Sequence, residues 1–153
     1  MRVGLVQMTS GDNPSDNLSD AMGYIDHAVA QGAQFILTPE VTNCLSLDRA
    51  HQARSFHLQD DDPSLAAFRA KAKTHGIWLL IGSLALLSGD PDGRFANRSF
   101  LIGPDGTIAA QYDKIHMFDV DVSETESFRE SDGYRPGSEA VLATTDFAKI
   151  GMT

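Results

Sequence analysis

Residues 95–114 read FANRSFLIGPDGTIAAQYDK. The Gly-Pro-Asp-Gly group at 103–106 is turn chemistry, and apolar, β-prone segments flank it on both sides, so two consecutive strands are expected over 95–102 and 107–114. Immediately upstream, IWLLIGSLAL (77–86) is another strand by composition, and SGDPDGR (88–94) turns the chain back into FANRSFLI, which makes the pair a hairpin. Neither Gly-Asp turn opens a helix in a phosphate-binding pattern, so both are read as structural.

Further upstream the signals alternate between strand and helix. RVGLVQM (2–8) is a first strand, GDNPSDN (11–17) supplies capping residues with Pro14 near the first helical position, and Leu18, Met22, Ile25 and Val29 fall on one helical face before Gly32. AQFILTPE (33–40) is a short buried strand ended by Pro39. Asp62 and Pro63 open a second helix, with Leu65, Phe68 and Ala72 as its apolar stripe and Gly76 as its end. The stretches 41–62 and 115–136 are polar or acidic and carry no clear period, while EAVLATT (139–145) and FAKIGMT (147–153) are two more candidate strands. No repeat, low-complexity tract or linker divides the chain, so one α/β domain is expected. The last stretch runs on in small and apolar residues with no Pro or polar cluster to close it, which predicts that the 153 residues are the front part of a longer protein.

Composition narrows the function. The chain is 42% hydrophobic and 22% charged, an ordinary globular balance. Twelve Lys and Arg stand against 21 Asp and Glu, a net charge of -9 that opposes binding to nucleic acid or anionic lipid. The longest apolar run, GIWLLIGSLALL (76–87), is too short to cross a bilayer, and the N-terminus lacks the pattern of a signal peptide, so a cytoplasmic protein with neither a membrane nor a nucleic-acid partner is expected. The single cysteine, Cys44, has no partner for an internal disulfide and is read as a buried structural thiol.

Candidate chemistry lies at strand ends. Glu40 follows an apolar strand and a proline, which presents its carboxylate at the edge of a packed sheet, where a general base is useful. Lys114 ends the strand TIAAQYDK, and His116 would share its face if the chain stays extended. His51 and His57 lack the helix motif or cysteine set of a metal centre, so no metal and no cofactor is expected.

VGLVQM (3–8), LTPE (37–40), IGSLAL (81–86), NRSFLIGPDGTIAAQYDKIHMFD (97–119) and FRESDGYRPG (128–137), in that order, resemble the nitrilase superfamily of carbon-nitrogen hydrolases. YDKIHMFD (112–119) is the most specific piece. The resemblance implies an α-β-β-α sandwich, incomplete at the C-terminus, with residues 1–153 as the N-terminal part of a single such domain and with homodimers formed by the complete protein. It also implies a Glu-Lys-Cys catalytic triad in which Glu40 is the general base and Lys114 the oxyanion-stabilising cation. Glu130, by its distance from Pro136 and Gly137, matches a second glutamate of such sites. The nucleophilic cysteine is expected just beyond AKIGMT (148–153) rather than at Cys44.

KIHMFD (114–119) followed by RESD (129–132) resembles the amidase branch acting on deaminated glutathione and ω-amides. The implied activity is hydrolysis of a small carboxylate-bearing amide through a cysteine thioester, with release of ammonia. Arg129 and Arg135 are candidates for meeting the substrate carboxylate. The alternative is a noncatalytic fragment or degenerate relative that acts only by binding, since Glu and Lys without a nucleophile cannot form a thioester.

Overall fold

A computed structural model describes all residues, 1–153. Both long helices form where their end signals sit. In α1 (Pro14–Ala30) the Asn13 side chain accepts from Ser15 N–H at 3.0 Å, Pro14 occupies the first turn, and Gly32 takes φ +80 past the end. In α3 (Pro63–His75) Asp62 accepts from Leu65 N–H at 2.8 Å and Gly76 adopts the left-handed conformation. Each side-chain cap of this kind contributes about 1 kcal/mol. A short helix α2 (Arg49–Ser55), capped by Asp48, lies in the stretch whose polar composition gave no period.

Five strands make one mixed sheet in chain order: β1 (Val3–Leu5), β2 (Phe35–Leu37), β3 (Trp78–Leu87), β4 (Phe95–Ile102) and β5 (Ile108–Asp113). β1, β2 and β3 run parallel because helical crossovers join them, and β3, β4 and β5 run antiparallel through the two Gly-Asp turns. Helices α1 and α3 cover one face, where Ile25, Phe68, Leu79, Ile81, Leu84 and Phe100 are fully buried. On the other face Phe35, Leu101 and Tyr112 pack against a hairpin of β8 (Val141–Thr144) and β9 (Lys149–Met152), which contributes Ala143 and Met152. The layers are therefore helix, sheet and second sheet, which bears out the α/β expectation for a carbon-nitrogen hydrolase sandwich.

The segment expected to be irregular between 115 and 136 contains a small hairpin, β6 (Asp119–Asp121) with β7 (Ser127–Arg129), followed by a 3₁₀ turn at Glu130–Asp132. Its strands are three residues each and mostly exposed, so no inward apolar alternation marks them.

Candidate active site

The loop carrying Glu40 is held by an irregularity in the neighbouring strand. β3 and β4 slip register between Ile81 and Leu84, and Gly82 in that bulge leaves room for Thr38 and Pro39: a Cβ there would lie 2.3 Å from the Thr38 carbonyl oxygen. Ser83 then grips the loop from three sides. Its Oγ accepts from Val41 N–H at 2.8 Å, its carbonyl accepts from Thr42 N–H at 2.9 Å, and its N–H donates to the Pro39 carbonyl at 3.3 Å. Thr42 Oγ1 donates to the Pro39 carbonyl at 2.6 Å, and the buried Asn43 side chain exchanges two hydrogen bonds with the Ala85 backbone, at 2.9 and 2.8 Å. With its neighbours so fixed, Val41 sits at φ +50, a conformation a β-branched residue avoids unless its surroundings impose it. The strained residue directly follows Glu40.

Lys114 is pinned just as firmly. Arg98 and Asp113 are opposite each other in the β4/β5 ladder and form a two-pronged pair, Nε to Oδ1 at 2.6 Å and Nη2 to Oδ2 at 2.8 Å. The next residue, Lys114, donates its N–H to the Asn97 carbonyl at 2.9 Å, and its own carbonyl accepts from Gly137 N–H at 2.9 Å. Gly137 fits because it has no side chain, since a Cβ would meet the Asp113 carbonyl oxygen at 2.3 Å. This is the physical use of the Arg-Pro-Gly group at 135–137.

Three of the residues singled out in the sequence come together here. Lys114 Nζ donates to Glu40 Oε1 at 3.0 Å and to Glu130 Oε2 at 2.8 Å. Glu130 Oε2 also accepts from Phe118 N–H at 2.6 Å, which ties the 3₁₀ turn to the start of the β6–β7 hairpin. Glu130 is the most enclosed of the three side chains, at 15% exposure against 28% for Lys114 and 55% for Glu40. Burial raises the Glu40 carboxyl, but hydrogen bonds from Lys114 and Asn97, with the charge of Lys114, outweigh it and hold the group below its usual value. Burial lowers the Lys114 ammonium, and the two carboxylates overcome that effect, holding it above its usual value. Glu40 is therefore ionised and Lys114 protonated near neutrality.

Asn97 is the member that sequence reading missed. It is buried at 3% exposure, and its Nδ2 donates to Glu40 Oε1 at 2.9 Å and to Glu130 Oε1 at 3.4 Å. The signal available was Asn97-Arg98-Ser99, a polar interruption at the centre of an otherwise apolar strand. Tyr134 flanks the cluster, its ring edge-on to Phe95 at 5.8 Å, and burial pushes its phenol upward.

Other candidates stand apart from it. β5 ends at Asp113, so His116 does not continue a strand face with Lys114, and it is exposed. Arg129 pairs with Asp121 and Arg135 with Asp90, so both guanidinium groups already have carboxylate partners. Cys44 is 1% exposed among Phe56, Ala85 and Phe95, and its Sγ donates to the Asp12 carbonyl at 3.3 Å. Burial and the nearby Asp12 charge raise its thiol above the ordinary value, the reverse of what a nucleophile needs. No helix is long and apolar enough to cross a membrane.

The carbon-nitrogen hydrolase family model matches residues 2–153. The chain is 36% identical over 153 residues to the deaminated glutathione amidase of Yersinia enterocolitica, covering 99% of this chain and 52% of that protein. It is 31% identical over 151 residues to Omega-amidase NIT2 of Homo sapiens, covering 99% of this chain and 53% of that protein. Among solved structures, the NitFhit protein of C. elegans superposes with a TM-score of 0.77 at 27% identity, over 91% of this chain and 34% of that one. An amidase from Nesterenkonia sp. superposes with a TM-score of 0.79 at 22% identity, over 99% of this chain and 54% of that one. The chain spans about half the length of the curated relatives it matches. Its ordered motifs, its layered sheet and the match over residues 2–153 make it a member of the carbon-nitrogen hydrolase family.

Proposed function

We propose that Glu40, Lys114 and Glu130 are the acid-base and oxyanion-binding part of an amide hydrolase site, completed by a cysteine nucleophile from outside these 153 residues. The observation that carries this reading is one ammonium held between two carboxylates, with Glu40 ionised and partly open to solvent. Glu40 would take the proton of the cysteine thiol, and the thiolate sulfur would bond to the amide carbonyl carbon. Lys114 would meet the negative charge that develops on the carbonyl oxygen, where stabilisation lowers the barrier instead of tightening the ground state. As the carbon-nitrogen bond breaks, the proton held by Glu40 passes to the nitrogen, and ammonia leaves a thioester behind. Glu40 then draws a proton from water, whose oxygen attacks the thioester and releases the acid and the thiol. Glu130 holds Lys114 in place through the 2.8 Å bond.

The substrate class is a small amide that also bears a carboxylate, supported by the names of the amidase relatives. The complete protein is proposed to act as a cytoplasmic homodimer. A specific observation also keeps a binding-only role in view for the 153-residue chain by itself: Cys44, its single cysteine, is sealed in an apolar cluster. The deciding experiment is intact-mass analysis of the full-length protein after rapid quenching during turnover of an ω-amide. A mass increase equal to the acyl group, mapped to a cysteine beyond Thr153, is expected. An acyl group on Cys44, or turnover without any acylated cysteine, would overturn the assignment.

A further inference from the structure

We propose that Asn97 is a positioning residue of this site: its single amide nitrogen bridges Glu40 and Glu130 and thereby determines which oxygen of Glu40 is presented for proton transfer. The inference rests on the reading of Glu40 as the base.

An asparagine amide nitrogen carries two hydrogens, and here both face carboxylate oxygens, Glu40 Oε1 at 2.9 Å and Glu130 Oε1 at 3.4 Å. Rotating the amide by half a turn would set Oδ1, an acceptor, against the same two carboxylate oxygens. The orientation is therefore forced by chemistry. Lys114 also donates to Glu40 Oε1, at 3.0 Å, so both donors grip one oxygen of that carboxylate. Glu40 Oε2 receives no hydrogen bond from the protein and is left as the proton acceptor. Glu130, by contrast, uses both oxygens, Oε1 toward Asn97 and Oε2 toward Lys114 and Phe118 N–H.

Asn97 can hold this arrangement because it has no freedom of its own. It lies in the middle of a paired strand, it is 3% exposed, and its carbonyl receives the backbone N–H of Lys114 at 2.9 Å. One residue thus fixes the backbone of the lysine and the side chains of both glutamates. The charged and titratable groups facing Glu40 are Lys114 from the end of β5, Glu130 from the 3₁₀ turn and the Tyr134 phenol beyond it, with Arg49 over the Phe95 ring behind Tyr134. Among the side-chain donors to Glu40, Asn97 is the neutral one. Its removal therefore changes the carboxylate's environment without removing a positive charge.

The test uses the full-length protein, with pH profiles of kcat/KM for an ω-amide and with rates normalised to the titrated fraction of active cysteine. Asn97→Ala is expected to move the acid limb upward by about one pH unit, because a hydrogen bond to the charged form is lost. It should also lower kcat about tenfold or more with KM within about threefold, as expected when the base is misaligned. Asn97→Asp keeps the shape and places a third carboxylate against the other two, so its acid limb should move further still, and this variant serves if Asn97→Ala does not fold. A purely structural role would lower the melting temperature and the active fraction while the acid limb stayed at its wild-type position, and that result overturns the proposal. Glu40→Gln separates the two levels. If it is inactive while the Asn97 variants keep the wild-type acid limb, the role of Asn97 alone is wrong; if it is fully active, the base assignment fails and the Asn97 proposal falls with it.

Discussion

Lys114 Nζ lies 3.0 Å from Glu40 Oε1, although the two residues are 74 positions apart in the chain. The contact joins the loop after β2 to the residue after β5, across the intervening strands β3 and β4. Surface pairs of this kind contribute little to stability, and both groups keep solvent contact, so its use is in fixing charge and orientation. Replacing Lys114 with Met also leaves the enclosed Glu130 carboxylate without its ammonium, so it should lower the melting temperature, and on the proposed oxyanion role it should lower kcat of the full-length protein by about 10²–10³-fold. Steady-state kinetics beside thermal melting measures both.

The same pair sets a pH window. Glu40 is held below its usual value, so its contribution is present above the unfolded carboxylate value and disappears as pH falls through the depressed one. Lys114 is held above its usual value, so its contribution is complete below the unfolded ammonium value and disappears as pH rises through the raised one. The cluster should therefore stay intact across the whole neutral range. Carboxyl ¹³C titration by NMR should show Glu40 with an apparent pKa below that of a model glutamate, and Lys114→Met should raise it.

Gly82, like Gly137, should tolerate no side chain. A Cβ at Gly82 would sit 2.3 Å from the Thr38 carbonyl oxygen and 2.6 Å from Pro39, both backbone atoms that cannot swing aside. Gly82→Ala is expected to destabilise the fold by about 1–3 kcal/mol, the range for overpacking, and to displace Glu40. Ser83→Ala removes only the hydrogen bond to Val41 N–H and should cost about 1 kcal/mol. Urea unfolding of both variants gives the comparison.

Cys44 should be chemically silent. Its sealed position and raised thiol predict that a disulfide reagent modifies it only on unfolding, at a rate set by opening of the Phe56–Phe95 cluster. Cys44→Ser should keep turnover of the full-length protein within about twofold, since the hydroxyl can still donate to the Asp12 carbonyl and a change away from the reacting groups leaves the barrier intact.

The helices were legible because their ends carry local chemistry: Asn13 and Asp62 cap them, Pro14 and Pro63 start them, and Gly32 and Gly76 follow them. The β3–β4 hairpin was legible from its turn residues. α2 was not, because its buried face amounts to Gln52 and offers no apolar period. The β6–β7 hairpin was hidden for the same reason. At the site, Glu40 and Lys114 could be picked out as strand-end residues, and Glu130 only through its resemblance to a family pattern. Their convergence and the left-handed Val41 arise from packing between distant segments and leave no local mark, and the polar interruption at Asn97 marks the residue but not the two glutamates it bridges.

The most direct test is ammonia release from an ω-amide by the full-length protein, measured at neutral pH for the wild type and for Glu40→Gln at matched folded concentration. Steady release by the wild type and a loss of about 10²–10⁴-fold in the variant are expected, the range for removing a positioned general base. Equal rates from the two proteins, or no ammonia from the wild type, would contradict that expectation.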